Sequence, residues 1–310
     1  MASGGRCADC GTAVAPVRAP RPVTPSGHPV LGAGRRGEPS KGEIVTEPVV
    51  VCDLDGVLWR GEVAIEGSAA AVGALRAAGA RVAFLTNNSS RRVAEVQGQL
   101  GAMGVSVEPE DILSSAQAAA TLLASGLAPG ARVLVVAGPG VLEALTAKGL
   151  DAVPNTAELV GDVDAVVVGF HREFDFDRLD RAADAVRRGA RFVATNVDAS
   201  YPGTDRILPG AGSLVAAVAT AAGRVPEVAG KPEAATVALV RDRLGDSGVM
   251  VGDRPSTDGE LARRLGWPFA MVLSGIGGHD PMEPIPDPPP EWVAEDLASL
   301  AEPLGRYVRR

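Results

Sequence analysis

Three cysteines in 310 residues are too few for a disulfide framework, and Cys52 falls inside an apolar run. A reducing, cytoplasmic compartment is therefore expected. Basic residues are outnumbered, 30 against 38 acidic, and the net charge of −8 argues against the usual nucleic-acid surface. Small anionic substrates are not excluded, because one lysine or one metal ion can reverse the field inside a cleft. No apolar run approaches the roughly 18 residues of a membrane span, so no membrane partner is expected. Residues 1–44 lack the roughly 7–15-residue apolar core of a secretory signal, and long internal repeats are also missing. That first segment is rich in Gly, Pro and Arg and is expected to be a disordered tail. Its Cys7-x-x-Cys10 pair has metal-knuckle spacing, but only His28 stands nearby as a further ligand and a structural zinc site needs a second pair.

The rest of the chain, with 46% hydrophobic and 22% charged residues overall, has the composition of a globular protein long enough for two domains. Its most informative segment is Val49-Val50-Val51-Cys52-Asp53-Leu54-Asp55-Gly56. The continuous apolar run reads as a central strand of a parallel sheet, covered on both faces, and two carboxylates stand where it leaves the sheet. Ligands of open α/β sheets bind at that end of the strands. Further strands are expected over Arg81–Thr86, Arg132–Val136, Ala165–Val168, Phe192–Ala194, Val249–Val251 and Pro268–Leu273, alternating with helical periodicity. One helix carries Val93, Val96, Leu100 and Met103; others carry Leu179 to Val186 and Leu214 to Ala222, the last with Ser213 as N-cap. Pro281–Pro290 reads as extended, followed by Trp292-Val293 and a short helix from Asp296.

Four separated segments carry chemistry: Asp53-x-Asp55-Gly56, Thr86-Asn87-Asn88-Ser89, Gly230-Lys231-Pro232 and Gly252-Asp253 through Thr257-Asp258. Each alone has an ordinary structural reading as a turn, a helix cap or a surface lysine. Together they supply what phosphoryl transfer requires: a carboxylate nucleophile, a second carboxylate to move a proton, a hydroxyl and a lysine to hold phosphoryl oxygens, and a further acid for Mg²⁺. In this order they resemble the haloacid dehalogenase superfamily of Mg²⁺-dependent phosphatases. Asp53 and Thr86 lie 33 positions apart, too close for a cap domain, whereas 145 positions separate Thr86 from Lys231. An insertion in the longer interval resembles subfamily IIA, which holds para-nitrophenylphosphatase, phosphoglycolate phosphatase and NagD-like nucleotide phosphatases. Gly189–Asp198 and Pro209–Ser213 are further matching segments.

The resemblance implies a Rossmann-like parallel-sheet core over 45–114 and 225–310, with an inserted α/β C2-type cap over 115–224. It implies Asp53 as nucleophile, forming an aspartyl-phosphate, and Asp55 as general acid and base. Mg²⁺ is implied on Asp53, the Asp55 carbonyl and Asp253, with Asp258 supporting from behind. Gly56, Thr86, Asn87 and Lys231 are the implied phosphate-binding residues. Trp59, Asn88, Thr195, Asn196, Asp198 and Tyr201 are candidates for substrate selection, although Trp59 equally reads as a core aromatic. The expected substrate is a small-molecule phosphate ester, and a homodimer through the cap is expected from such relatives. Two other functions compete. A non-catalytic phosphate-binding or signalling module uses similar acids, but no acid/base follows its nucleophile by two residues; a phosphomutase usually carries its cap in the shorter interval. His171 and His279 stand alone, and Gly138-Pro139-Gly140 lacks the third glycine of a dinucleotide loop.

Overall fold

The structure is a computed structural model that describes residues 48–156, 161–203, 206–277, 283 and 287–309. The 1–44 tail with its Cys7/Cys10 pair and His28, His279, and much of Pro281–Pro290 lie outside the described residues. In chain order the first elements are β1 (Val49–Cys52), the hairpin β2 (Trp59–Arg60) and β3 (Val63–Ala64), α1 (Ser68–Ala77), β4 (Arg81–Thr86), α2 (Val93–Ala102), β5 (Ile112–Ser114) and α3 (Ser115–Ala124). There follow β6 (Arg132–Val136), α4 (Pro139–Ala147), β7 (Asp151–Pro154), β8 (Ala165–Val168), α5 (Phe176–Arg187), β9 (Arg191–Ala194), β10 (Ser200–Pro202), β11 (Ile207–Pro209), α6 (Ala211–Ala222) and β12 (Glu227–Val228). The chain then returns through α7 (Ala234–Leu244), β13 (Gly248–Gly252), α8 (Glu260–Leu265), β14 (Phe269–Val272), β15 (Trp292–Ala294) and α9 (Leu297–Val308).

Two parallel sheets result, one of six strands in the order β15-β14-β13-β1-β4-β5 and one of five in the order β12-β9-β8-β6-β7. Alternation of side chains across each strand sorts the apolar residues into layers. Val50, Cys52, Val82, Phe84, Val249 and Val251 face one side of the first sheet, beneath α1, α2 and α9. Val49, Val51, Ala83, Leu85 and Met250 face the other and share a single cluster with Val133, Val135, Ala165 and Val167 of the second sheet. Leu134, Val136, Val166 and Val168 pack outward under α5 and α6. Helices thus cover both faces, which is why these strands read as unbroken apolar runs.

In the first sheet β1 pairs with β13 on one side and β4 on the other. The chain steps outward from β1 through β4 to β5, then restarts at β13 and proceeds through β14 to β15 in the other direction. The β1/β13 boundary is therefore the switch point at which an open α/β sheet forms its ligand crevice. Three neighbouring strands deliver Asp53, Asp253 and Thr86 to that edge.

Local signals account for some ends and not others. Asp296 caps α9 by accepting from the Ser299 amide at 2.8 Å, and the helix runs on to Val308, longer than the short helix expected. Ser213 is not the cap of α6; Gly210 occupies that position and Ser213 lies inside the first turn. Thr86-Asn87-Asn88-Ser89 does not cap α2 either. That helix begins after Arg92, whose amide is bonded by the Glu95 side chain at 2.7 Å, so the four polar residues are left for other contacts.

Candidate active site

Asp53 follows β1 directly, and its carboxylate accepts a 2.8 Å bond from Lys231 Nζ. The same ammonium donates to Asp258 Oδ1 at 2.7 Å and to the Leu85 carbonyl at 3.4 Å. Lys231 is 4% exposed, so this is a buried ionic cluster. Burial opposes its charge, yet the Asp258 and Asp53 carboxylates outweigh that and hold the ammonium above the usual lysine range. Burial in turn pushes the Asp53 carboxyl well above the usual aspartate range, with Lys231 opposing the shift. Asp258 spends its other oxygen on the Arg254 amide at 3.1 Å.

Asp253, at the tip of β13, is held by the loop after β14. The Ile276 amide donates to its Oδ2 at 2.6 Å, while Oδ1 is buried and has no partner among the described residues. Burial and the neighbouring Asp258 raise its carboxyl to about 7. One oxygen each from Asp53, Asp253 and Asp258 lie within 4.8 Å of one another. An all-carboxylate set with one orphaned, buried oxygen fits a hard divalent cation such as Mg²⁺. Both oxygens of Asp258 already have donors, so Asp53 and Asp253 are the better placed to hold the ion.

Two glycines make this enclosure possible. Gly56 has φ +89°, and a Cβ there would lie 2.8 Å from the Asp253 carboxylate. A Cβ on Gly275 would lie 1.9 Å from Asp253 Oδ2. Gly56 was expected to donate to phosphate through its amide. In the structure that N–H is bonded to the Trp59 carbonyl at 2.7 Å, so Gly56 supplies the turn and the close approach instead.

Asn87 links the segments. Its Nδ2 donates to both oxygens of Asp198, at 3.3 and 3.1 Å, and to the Lys231 carbonyl at 3.2 Å, while its Oδ1 accepts from the Lys231 amide at 2.8 Å. Its carbonyl accepts from Ser115 Oγ and Asn196 Nδ2, each at 2.7 Å. The side chain is fully engaged, and any hydrogen bond from Asn87 to a ligand must come from its backbone. Thr86 Oγ1 accepts from the Asn88 amide at 2.9 Å, which leaves its hydroxyl proton to donate. Burial raises the Asp198 carboxyl, with Arg254 opposing.

A recess of about 620 Å³, including its open mouth, brings Asp53, Asp55, Thr86, Lys231 and Asp253 together with Asn88, Asn196, Asp198 and Tyr201. Two expected selectors are not in it. Thr195 is fully buried, its hydroxyl bonded to Ser89 Oγ at 2.9 Å. Trp59 is 3% exposed within the core, which decides the question left open for it in favour of the core aromatic. Phe170 and Arg254 border the recess and were missed. Phe170 meets the Tyr201 ring edge-on at 5.1 Å, and Arg254 bonds the Ser200 carbonyl at 3.0 Å and Glu283 at 3.1 Å. Phe170 follows the tip of β8 and Arg254 follows Asp253, so the strand-end argument that found Asp53 would have found both.

A doubly covered parallel sheet with an acid-lysine-acid cluster and a divalent-cation set at its switch point is the class of site that handles phosphoryl groups with a metal ion. A family model of haloacid dehalogenase-like hydrolases matches residues 50–151, and a second, HAD-hydrolase-like model matches residues 228–300. The D-glycerol 3-phosphate phosphatase of Mycobacterium tuberculosis is 41% identical over 256 residues, covering 81% of this chain and 70% of that protein. The crystal structure of a glycerol phosphate phosphatase from the same organism in complex with magnesium superposes with a TM-score of 0.72 at 38% identity, covering 82% of this chain and 76% of that one. A p-nitrophenyl phosphatase from Archaeoglobus fulgidus gives a TM-score of 0.72 at 27% identity, covering 83% and 99%. The chain belongs to the haloacid dehalogenase superfamily, within its NagD-like subfamily IIA, and is a phosphatase of that family. The expectation of an enzyme that uses Mg²⁺ agrees with these relatives and with the acidic cluster.

Proposed function

We propose that the protein hydrolyses the phosphomonoester of a small polyol such as glycerol, with Asp53 and Asp55 in separate roles. The observation that carries the hydrolysis is the cluster itself: one buried lysine between Asp53 and Asp258, one orphaned oxygen on Asp253, and Asp55 lining the same recess. The choice of a polyol is supported by the glycerol phosphate phosphatases among the relatives. A divalent cation held by Asp53, the Asp55 carbonyl and Asp253 supplies charge neutralisation for phosphoryl oxygens. A carboxylate oxygen of Asp53 attacks phosphorus, the bond from phosphorus to the alcohol oxygen breaks, and the Asp55 carboxyl proton passes to that oxygen. Asp55, now a carboxylate, removes a proton from water as the water oxygen attacks phosphorus, and the bond to Asp53 breaks to release inorganic phosphate. Burial raises the Asp55 carboxyl, the direction a proton donor requires.

In this reading the Thr86 hydroxyl and the Asn87 backbone N–H donate to the phosphoryl oxygens, and Lys231, whose three N–H bonds are already placed, contributes its charge. Asn88 spends its Oδ1 on Ser90 and leaves its Nδ2 for a substrate hydroxyl, with Tyr201 across the recess. The two sheets are read as a core over 45–114 and 225–310 and a C2-type cap over 115–224, the pairing of β12 with β9 carrying the cap sheet slightly past that boundary. A homodimer through the cap belongs to the same proposal, supported by Phe176 and Ile207, 78% and 62% exposed on cap elements. A cytoplasmic location is supported by the buried free thiol of Cys52, and no described helix is long and apolar enough to cross a membrane.

The test is phosphate release from glycerol phosphates and p-nitrophenyl phosphate with Mg²⁺, for the wild type, Asp53→Asn and Asp55→Asn. Removing the nucleophile is expected to abolish turnover. Removing the acid/base is expected to lower it by about 10²-fold or more on glycerol phosphate. Full turnover in Asp53→Asn refutes the covalent route.

A further inference from the structure

Trp59 is buried, lines neither the recess nor the wider cleft beside it, and yet touches the site through one atom. Its indole Nε1 donates to Asp55 Oδ1 at 3.1 Å. The loop after β1 is wound to make that contact: the Leu58 amide reaches the Leu54 carbonyl at 2.9 Å, and the Gly56 amide reaches the Trp59 carbonyl at 2.7 Å, bringing the ring beneath the carboxylate four residues earlier. The ring is then packed into the apolar layer with Leu54, Leu58 and Val72, so it cannot follow a moving carboxylate. Asp55 has no other side-chain hydrogen bond among the described residues, and its Oδ2 is left without a protein partner.

The placement of Asp55 gives this contact its meaning. Asp55 borders both the recess that holds Asp53, Lys231 and Asp253 and the cleft lined by Asn88, Arg91, Phe170 and Tyr201. A phosphoryl group in the first and its alcohol in the second place the scissile bond beside Asp55. We infer that Trp59 is a positioning residue: it pins one oxygen of Asp55 from the core side and so presents the other to the leaving-group oxygen. Without that bond the two side-chain torsions of Asp55 are no longer fixed by a hydrogen bond from the core, and a misplacement of about 1 Å lowers rates by roughly 10². The inference rests on the reading of Asp55 as proton donor.

A buried indole needs a partner whatever the chemistry, so the experiment must separate positioning from packing. Trp59→Phe removes the N–H but also shrinks the buried ring, so a packing loss is expected to lower both substrates alike and only a difference between them reports the lost hydrogen bond. The readout is kcat/KM, which reports phosphorylation of Asp53, on p-nitrophenyl phosphate and on glycerol phosphate. Nitrophenolate departs without a proton, whereas an alkoxide needs one. The expected result is a loss of about tenfold or more on glycerol phosphate and of less than about threefold on p-nitrophenyl phosphate. Equal losses on the two substrates, or no loss on either, overturn the inference.

Should Trp59→Phe fail to fold, the indole ¹H–¹⁵N resonance of Trp59 in the otherwise native protein serves instead. It is expected to shift in Asp55→Ala, and an unmoved resonance overturns the contact. Asp55→Asn measured on the same two substrates keeps the layers apart: if it shows no leaving-group dependence, the proton-donor reading fails. If it shows the dependence and Trp59→Phe does not, only the role of Trp59 fails.

Discussion

Replacing Lys231 with methionine removes the cation bonded to both Asp53 and Asp258, beside Asp253, while keeping a stem of similar length. Lys231 Nζ lies 2.8 Å from Asp53 and 2.7 Å from Asp258, with side-chain exposures of 2%, 9% and 0%. At an effective dielectric constant of about 20, each contact represents roughly 6 kcal/mol of Coulomb attraction. Most of that offsets the desolvation of the three ions, and removing one partner of such a cluster leaves a net loss of about 3–5 kcal/mol. At roughly 2–4 °C per kcal/mol for a protein of this size, Lys231→Met is expected to lower the melting temperature by roughly 6–20 °C. The assay is thermal unfolding in a chelator near neutral pH, repeated at mildly acidic pH and with Mg²⁺. Because burial already raises the Asp53 and Asp253 carboxyls, protonation relieves the repulsion and the deficit shrinks on acidification. Added Mg²⁺ supplies the missing charge and is also expected to narrow it. A variant that melts within about 2 °C of wild type in chelator at neutral pH refutes the reasoning.

Three further outcomes follow from the same geometry. Asp253, raised to about 7 when folded, binds its proton more tightly in the native than in the unfolded chain, so metal-free stability is expected to fall as pH rises from about 4 to 7, by at most about 1.4 kcal/mol per pH unit for that group. Calorimetry in chelator tests the sign, which Mg²⁺ is expected to reverse; stability that rises across the window without metal contradicts it. Gly275→Ala places a Cβ 1.9 Å from Asp253 Oδ2 and is expected to abolish Mg²⁺-dependent turnover, whereas Gly73→Ala, in α1 with nothing within 4 Å of the new Cβ, is expected to stabilise by about 0.5–1 kcal/mol without changing turnover. Asp198→Ala loosens Asn87 rather than a substrate contact, so kcat/KM is expected to fall about tenfold by the same factor on glycerol phosphate and p-nitrophenyl phosphate. Unequal losses would return Asp198 to the role of substrate selector.

Asp53, Asp253 and Thr86 were legible in the sequence because each stands at the end of a buried apolar run, and a strand's direction fixes where its last residue emerges. The interval lengths were equally informative, since a second sheet must be inserted where the chain has room for it. Short elements were not legible. β7, β12 and the β10–β11 hairpin have two to four residues each, too few to establish a period; β7 and β12 exist because the longer β6 and β9 beside them offer hydrogen bonds, and β10 and β11 because they pair with each other.

The sequence alone determined the strand-tip carboxylates, the order of the phosphate-handling segments and the alternation that makes both sheets parallel, all of which depend on residues close together in the chain. Only the tertiary structure decided what each polar atom bonds to. Thr195 reads like Asn196 until Ser89, 106 positions away, takes its hydroxyl. Asn87 reads as a phosphate ligand through its side chain until Asp198 and Lys231 occupy the side-chain amide, which leaves only its backbone N–H for a ligand. Trp59 reads as core or rim, and is core with one donor aimed at Asp55. A residue type sets which hydrogen bonds are available, but a buried donor takes the acceptor that packing brings within reach, and packing joins segments a hundred or more residues apart.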